Sequence, residues 1–123
     1  MEPNNKPTVL VSENQCIIRL SVCEFLESEG FRVIATPDGL QADRILSAGE
    51  DVQLLFSDVR MPEMDGLTLA RNALGRSPHL GILLTSCVEP VDLPKDVLFL
   101  AKPYDTAYLS KRLRQMLSES EQA

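Results

Sequence analysis

Leu54-Leu55-Phe56-Ser57-Asp58-Val59-Arg60-Met61-Pro62-Glu63-Met64-Asp65-Gly66 is the stretch that decides the reading of this chain. An apolar run ends abruptly at one carboxylate, Asp58. A proline-bearing loop follows, and Asp65-Gly66 opens an amphipathic segment. A short apolar run between turn signals suits a strand buried on both faces. An acid at its end is badly placed for packing and well placed for chemistry, because open parallel sheets bind ligands beyond the carboxyl ends of their strands. On this stretch alone a turn cap would explain Asp58 equally well. The other strand ends must separate the two readings.

Upstream, Thr8-Val9-Leu10-Val11 reads as a first buried strand, ending at Ser12-Glu13-Asn14, a polar cluster able to cap the next helix. Ile18, Val22, Phe25 and Leu26 follow helical spacing, with Gly30 as the stop. Phe31–Ala35 is a second strand whose Arg32 points to an exposed edge position. Asp38 and Gln41 form a capping-box pattern, and the helix they open runs to about Ala48 before Gly49. The third strand covers 53–57.

Downstream, Asp65 caps a helix with Leu67, Ala70 and Leu74 on one face, ended by Ser77-Pro78. Gly81–Leu84 and Val97–Ala101 are the fourth and fifth strands, ending at Thr85-Ser86-Cys87 and Lys102-Pro103. Asp105 begins the last helix, with Leu109, Leu113, Met116 and Leu117 facing inward. Residues 86–96 hold Pro90 and Pro94 without helical periodicity, so the helix between strands four and five is expected to be short or absent. Strand and helix otherwise alternate, which implies a parallel sheet covered on both faces. Residues 1–7 are expected to be a disordered lead and 118–123 a frayed polar tail, leaving 8–117 as one domain.

The formal net charge of −6 argues against gripping nucleic acid through bulk charge. No apolar run approaches the roughly 20 residues of a membrane span, and the polar opening is not a secretory signal. Cys16, Cys23 and Cys87 are odd in number and lack metal-ligand spacing, so buried free thiols are expected. A cytoplasmic protein without membrane or direct nucleic-acid partners is the expectation. His79 in its turn reads as a surface residue, Tyr104 and Tyr108 as packing, and Arg71 and Arg76 as a solvated face.

In a parallel sheet all carboxyl ends share one edge. Four of the five strand ends carry Glu13-Asn14, Asp58, Thr85 and Lys102, so acids, a hydroxyl and an ammonium converge on one rim. Carboxylate and amide oxygens suit a hard cation such as Mg²⁺, completed by waters and phosphate oxygens. A carboxylate can act as nucleophile toward a phosphoryl group, while a lysine and a hydroxyl hold the transferred oxygens.

With these residues the chain resembles the receiver domains of two-component response regulators, the CheY-like family. The likeness covers residues 8–117. It is carried by Ser12-Glu13-Asn14, Ser57 through Gly66, Leu84-Thr85-Ser86 and Phe99-Leu100-Ala101-Lys102-Pro103. The resemblance implies a doubly wound, flavodoxin-like three-layer sandwich with sheet order 2-1-3-4-5. It implies that Asp58 accepts a phosphoryl group from a sensor histidine kinase or histidine phosphotransfer protein. Thr85 would hydrogen-bond that group and Lys102 would pair with it. Mg²⁺ would sit on Glu13, Asn14, Asp58 and the Arg60 backbone carbonyl. Thr85 and Phe99 would form the switch, with Phe99 turning inward as Thr85 moves, and the Lys102–Pro103 bond would be cis. No enzymatic activity is implied beyond self-phosphorylation and slow autodephosphorylation at Asp58.

Two departures qualify this. The family usually has a second acid where this chain has Asn14, and that residue usually touches the metal. A unit charge at ~4 Å is worth about 1 kcal/mol in water and about 4 at an effective dielectric of 20, so Mg²⁺ affinity should fall roughly tenfold to a hundredfold. Arg60 supplies a positive charge close by. The alternative is a pseudo-receiver, a binding module with weak or no phosphorylation. Without a helix after Thr85, docking falls to helix one or the last helix, and a weak homodimer and an unnamed downstream protein are among the expected partners. Ser86 and Cys87 border the site as small residues. A haloacid-dehalogenase-type phosphatase would want an acid at Arg60, and a flavin site would want a glycine-rich loop in place of Ser12-Glu13-Asn14-Gln15. With no output domain in view, the chain acts alone or as part of a longer regulator.

Overall fold

The computed structural model describes residues 6–122. Most of the expected disordered lead, residues 1–5, and Ala123 lie outside the described residues. Nine elements follow in order: β1 (Thr8–Ser12), α1 (Cys16–Ser28), β2 (Arg32–Thr36), α2 (Gly39–Ser47), β3 (Leu54–Asp58), α3 (Gly66–Arg76), β4 (Gly81–Ser86), β5 (Val97–Ala101) and α4 (Thr106–Gln122). The five strands pair in parallel in the order β2-β1-β3-β4-β5. This is the expected doubly wound sheet.

Alternation along each strand builds two cores. Val9, Val11, Leu54, Phe56 and Leu83 meet Val22 and Leu26 of α1 and Leu109, Leu113 and Met116 of α4. Leu10, Leu55, Ile82 and Leu84 meet Ala42 of α2 and Leu69, Ala70 and Ala73 of α3. Three layers result, with β1, β3 and the middle of β4 buried on both faces. Arg32 on edge strand β2 is exposed and lies 3.7 Å from Glu50, as the edge reading requires.

The capping signals at Asp38 and Asp65 act where the sequence places them. Asp38 Oδ1 accepts from the Gln41 amide at 2.8 Å, and Asp65 Oδ1 accepts from Thr68 at 2.8 Å. Strand bounds shift by a residue: β2 and β3 each run one residue later than expected, so Asp58 is the last residue of β3 itself. The crossover from β4 to β5 contains no helix. It is held by Leu93 packing on the second core, by Val97 N–H donating to the Pro94 carbonyl, and by an Arg71–Asp92 ion pair at 3.0 Å.

Some expectations are corrected. α4 continues through Gln122, taking in most of the tail set apart from the domain. Ser12-Glu13-Asn14 does not cap α1, whose N-cap is Gln15 with no side-chain bond. Cys16 and Cys87 are exposed, because each lies outside the packed faces; only Cys23 is partly buried, and burial, with Glu27 nearby, pushes its thiol up to about 11. Tyr108 is exposed, whereas Tyr104 packs edge-on against Phe56 at 5.6 Å. Arg71 and Arg76 do lie on a solvated face as expected, where each meets an acid, Asp92 and, on α2, Asp43 at 2.8 Å.

Candidate functional site

The carboxyl edge of the sheet gathers the residues singled out in the sequence. Asp58 ends β3 and is 4% exposed; Thr85 faces it in register on β4 and is buried. Lys102 follows β5, and its Nζ lies 2.7 Å from Asp58 Oδ1 and 3.9 Å from Glu13 Oε1. The Lys102–Pro103 peptide is cis. Asp58 Oδ1 is buried with no aligned hydrogen-bond donor, so the ammonium approaches it as an ion pair off the hydrogen-bonding direction. These groups open onto a cleft of roughly 650 Å³ whose walls include Asn14, Arg60, Ser86, Cys87 and Glu89.

Glu13 is the unexpected member. It is buried, not exposed on a rim, and its Oε2 accepts from the Gln15 amide at 2.8 Å. Burial first, then the neighbouring Asp58 carboxyl, push its pKa from 4.5 up to about 7, against the opposing pull of the Gln15 amide and Lys102. Burial works to lower the Lys102 ammonium, but Asp58 and Glu13 outweigh it and hold it above the usual lysine range. Burial, with Glu13 and Asp58 nearby, likewise raises the Tyr104 phenol.

The shift at Glu13 has a consequence for stability. Between pH 4.5 and about 7 the folded, metal-free chain holds a proton that the unfolded chain releases. Stability is therefore fullest below the lower value and declines as pH rises through this window. Thermal unfolding across pH 4–8 checks this, and Glu13→Gln should flatten the slope. A slope unchanged by that substitution would mean that Glu13 ionises freely.

The remaining predicted residues are placed as follows. Asn14 is exposed at the cleft wall. Arg60 is exposed on the opposite loop. The Thr85 hydroxyl donates to the Leu100 carbonyl at 2.6 Å, so it is committed to β5 and not to Asp58. Phe99 is half-buried against the second core. His79 is exposed, away from the cleft lining.

Two buried carboxyls forced together beside one ammonium make a site with oxygen donors to spare, since Lys102 engages Asp58 through Oδ1 alone. The donor set of Glu13, Asp58, the Asn14 amide and the Arg60 carbonyl is all oxygen and fits Mg²⁺. Among the described residues no three Asp, Glu, His or Cys side chains come together as a metal cluster.

Two glycines seat the loop between β3 and α3, which sequence spacing did not reveal. A Cβ on Gly66 would run into the Asp58 carbonyl oxygen, and one on Gly39 into the Met64 carbonyl oxygen. Gly66 N–H donates to the Val59 carbonyl at 2.8 Å. The Asp-Gly pair in the motif was the available signal for the first; nothing in the sequence singled out the second.

Known proteins agree with this geometry. The response regulator receiver domain profile matches residues 9–114. The receiver protein CpdR of Brucella abortus is 32% identical over 89% of this chain and 95% of its own length. The sensor kinase CckA of the same organism is 32% identical, but the chain spans 13% of its length. The solved receiver domain of the hybrid histidine kinase CckA superposes with a TM-score of 0.79 at 32% identity, covering 89% of this chain and 98% of that one. A receiver protein of Sinorhizobium medicae gives 0.88 at 26% identity, covering 94% and 98%. Receiver domains generally bind Mg²⁺ and interact with histidine kinases or phosphotransfer proteins. Among the described residues no helix is long and apolar enough to cross a membrane. The chain thus belongs to the response regulator receiver domain family, the CheY-like modules of two-component systems.

Proposed function

We propose that this chain is a phosphoaccepting receiver that takes a phosphoryl group onto Asp58 from the phosphohistidine of a sensor kinase or phosphotransfer protein. The observation that carries it is Asp58 itself: a buried carboxylate at a strand end, 2.7 Å from an ammonium, open to a cleft. An Asp58 oxygen attacks phosphorus, the P–N bond breaks, and the histidine nitrogen leaves with its electron pair. Lys102 moves from the carboxylate to a phosphoryl oxygen, keeping its ion pair. Glu13, Asp58, the Arg60 carbonyl and Asn14 would hold Mg²⁺, which supplies charge neutralisation at the phosphoryl oxygens.

The added charge of about −1.5 to −2 gives Thr85 a stronger acceptor than the Leu100 carbonyl. Its hydroxyl turns toward the phosphate and releases β5, beside Phe99. Phe99 turns further inward, and the equilibrium between two pre-existing conformations shifts toward the partner-binding one. The downstream partner of that state is a protein that docks on α1 or α4, since the β4–β5 crossover offers no helix.

The test is direct. Incubation with Mg²⁺ and a small phosphodonor should add the mass of one phosphoryl group, and a phosphotransfer partner should do so faster. No gain at high Mg²⁺ with either donor would instead support the pseudo-receiver reading, which the neutral Asn14 favours. Because Asn14 is exposed, its missing charge is screened, and Asn14→Asp should raise Mg²⁺ affinity about tenfold, the low end of the electrostatic range. Calorimetric titration checks it; an unchanged affinity would remove Asn14 from the metal set.

A further inference from the structure

Ser12 and Ser57 are register partners on β1 and β3, at 1% and 0% exposure. Buried hydroxyls of this kind take a partner. Ser12 Oγ donates to Met61 Sδ at 3.0 Å. Ser57 Oγ donates to the Asp58 carbonyl at 2.8 Å and lies 3.8 Å from the same sulfur. The Met61 thioether therefore sits over the seam between the two strands, at the edge that carries Asp58. A thioether is a weak acceptor, but among the described residues Ser12 Oγ makes no other hydrogen bond, so the contact is the one that satisfies this buried hydroxyl. The second methionine of the loop is held in a similar way: Met64 Sδ accepts from Asn72 Nδ2 of α3 at 3.9 Å.

We propose that Met61 is a positioning residue. Its sulfur, bonded by Ser12 and flanked by Ser57, pins the loop after β3 to the sheet edge. It thereby sets where the adjoining Arg60 carbonyl stands relative to Asp58. The part concerning the cation rests on the phosphoacceptor reading; the pin itself does not. Leucine has a similar volume but no acceptor, so Met61→Leu keeps the packing, removes the tether and leaves the Ser12 hydroxyl unpaired.

The experiment compares Met61→Leu, Ser12→Ala and the double variant in the unphosphorylated protein. Three readouts are taken: amide exchange at Gly66, Mg²⁺ affinity by NMR titration, and the thermal midpoint. Met61→Leu should speed Gly66 exchange and weaken Mg²⁺ binding, each about fivefold, the scale of one neutral hydrogen bond, and lower the midpoint. The double variant removes the stranded hydroxyl, so its midpoint should recover while exchange and affinity stay at the Met61→Leu values. Recovery of all three would show that Met61 only fills space and would overturn the proposal, as would a Met61→Leu protein identical to wild type. A wild-type protein that binds no Mg²⁺ would overturn the metal reading, and Gly66 exchange would then decide the pin alone. Should Met61→Leu fail to fold, Ser12→Ala leaves the loop intact: faster Gly66 exchange supports the pin and unchanged exchange refutes it.

Discussion

Asp58→Asn is expected to abolish phosphoryl incorporation and leave a folded protein. The amide fills the same space but offers no anionic oxygen to attack phosphorus, and no second carboxylate is positioned to replace it. Among the described residues Glu13 is the only other buried acid at the edge, and it lies outside the cleft lining with its Oε2 engaged by the Gln15 amide. Folding should survive because the substitution removes one of two like groups crowded together. Lys102 keeps Glu13 as a counter-charge at 3.9 Å. Glu13 in turn loses one of the causes that raise it, the neighbouring Asp58 charge. The pH slope of stability should therefore shrink in the same variant. Intact-mass measurement and thermal unfolding across pH check the two halves separately; a phosphoryl group retained by the variant would place the acceptor elsewhere.

Gly66→Ala is the second large effect, and it acts on the fold. The new Cβ would collide with the Asp58 carbonyl oxygen and stand 2.9 Å from Val59 Cα, both backbone atoms of the strand end. No flexible side chain is there to yield, so α3 or the end of β3 must move. Overpacking of this kind costs about 3 kcal/mol, with loss of activity beyond that because Asp58 itself is displaced. Gly75, in the same helix, is the control: a Cβ there meets nothing within 4 Å. Gly75→Ala should be neutral or stabilising by up to ~1 kcal/mol. Urea unfolding of the two variants tests whether position or mere loss of glycine matters; equal midpoints would show that the close approach is tolerated.

The sheet was legible because burial on both faces leaves strands nowhere to hide: Val9-Leu10-Val11, Leu54-Leu55-Phe56 and Ile82-Leu83-Leu84 can only be interior, and alternation with amphipathic segments makes the sheet parallel, while its strand order came from the family resemblance. The absent helix was legible from Pro90 and Pro94. Asp58, Thr85 and Lys102 were legible as strand-end residues, since a parallel sheet delivers all such positions to one edge. Depth was not. Whether Glu13 lies on a rim or beneath it depends on the turn into α1, which is set by the Gln15 amide and by Arg19 Nη1 donating to the Glu13 carbonyl at 2.8 Å. Hydroxyl direction was equally hidden: Thr85 was expected to serve the phosphate, and its present bond to Leu100 comes from strand pairing, not from the residue's own identity. The methionine and glycine contacts under the loop escape a linear reading because their partners lie far along the chain.

The helix-free crossover between β4 and β5 has an energetic meaning of its own. Residues 87–96 are tied down by one apolar side chain, one ion pair, a turn bond and a 3.5 Å bond from the Val88 amide to Ser86 Oγ, with the Val88 and Val91 side chains left in solvent. A segment with so few buried contacts opens at a small fraction of the global unfolding free energy. It therefore behaves as a separate cooperative unit, able to come loose while the five strands stay paired. Since its first residues also wall the cleft above Asp58, this lightly held segment and the reactive part share a boundary. Events at the carboxylate can then be read out as order or disorder in that segment, a signal carried by melting where a helix would have had to slide.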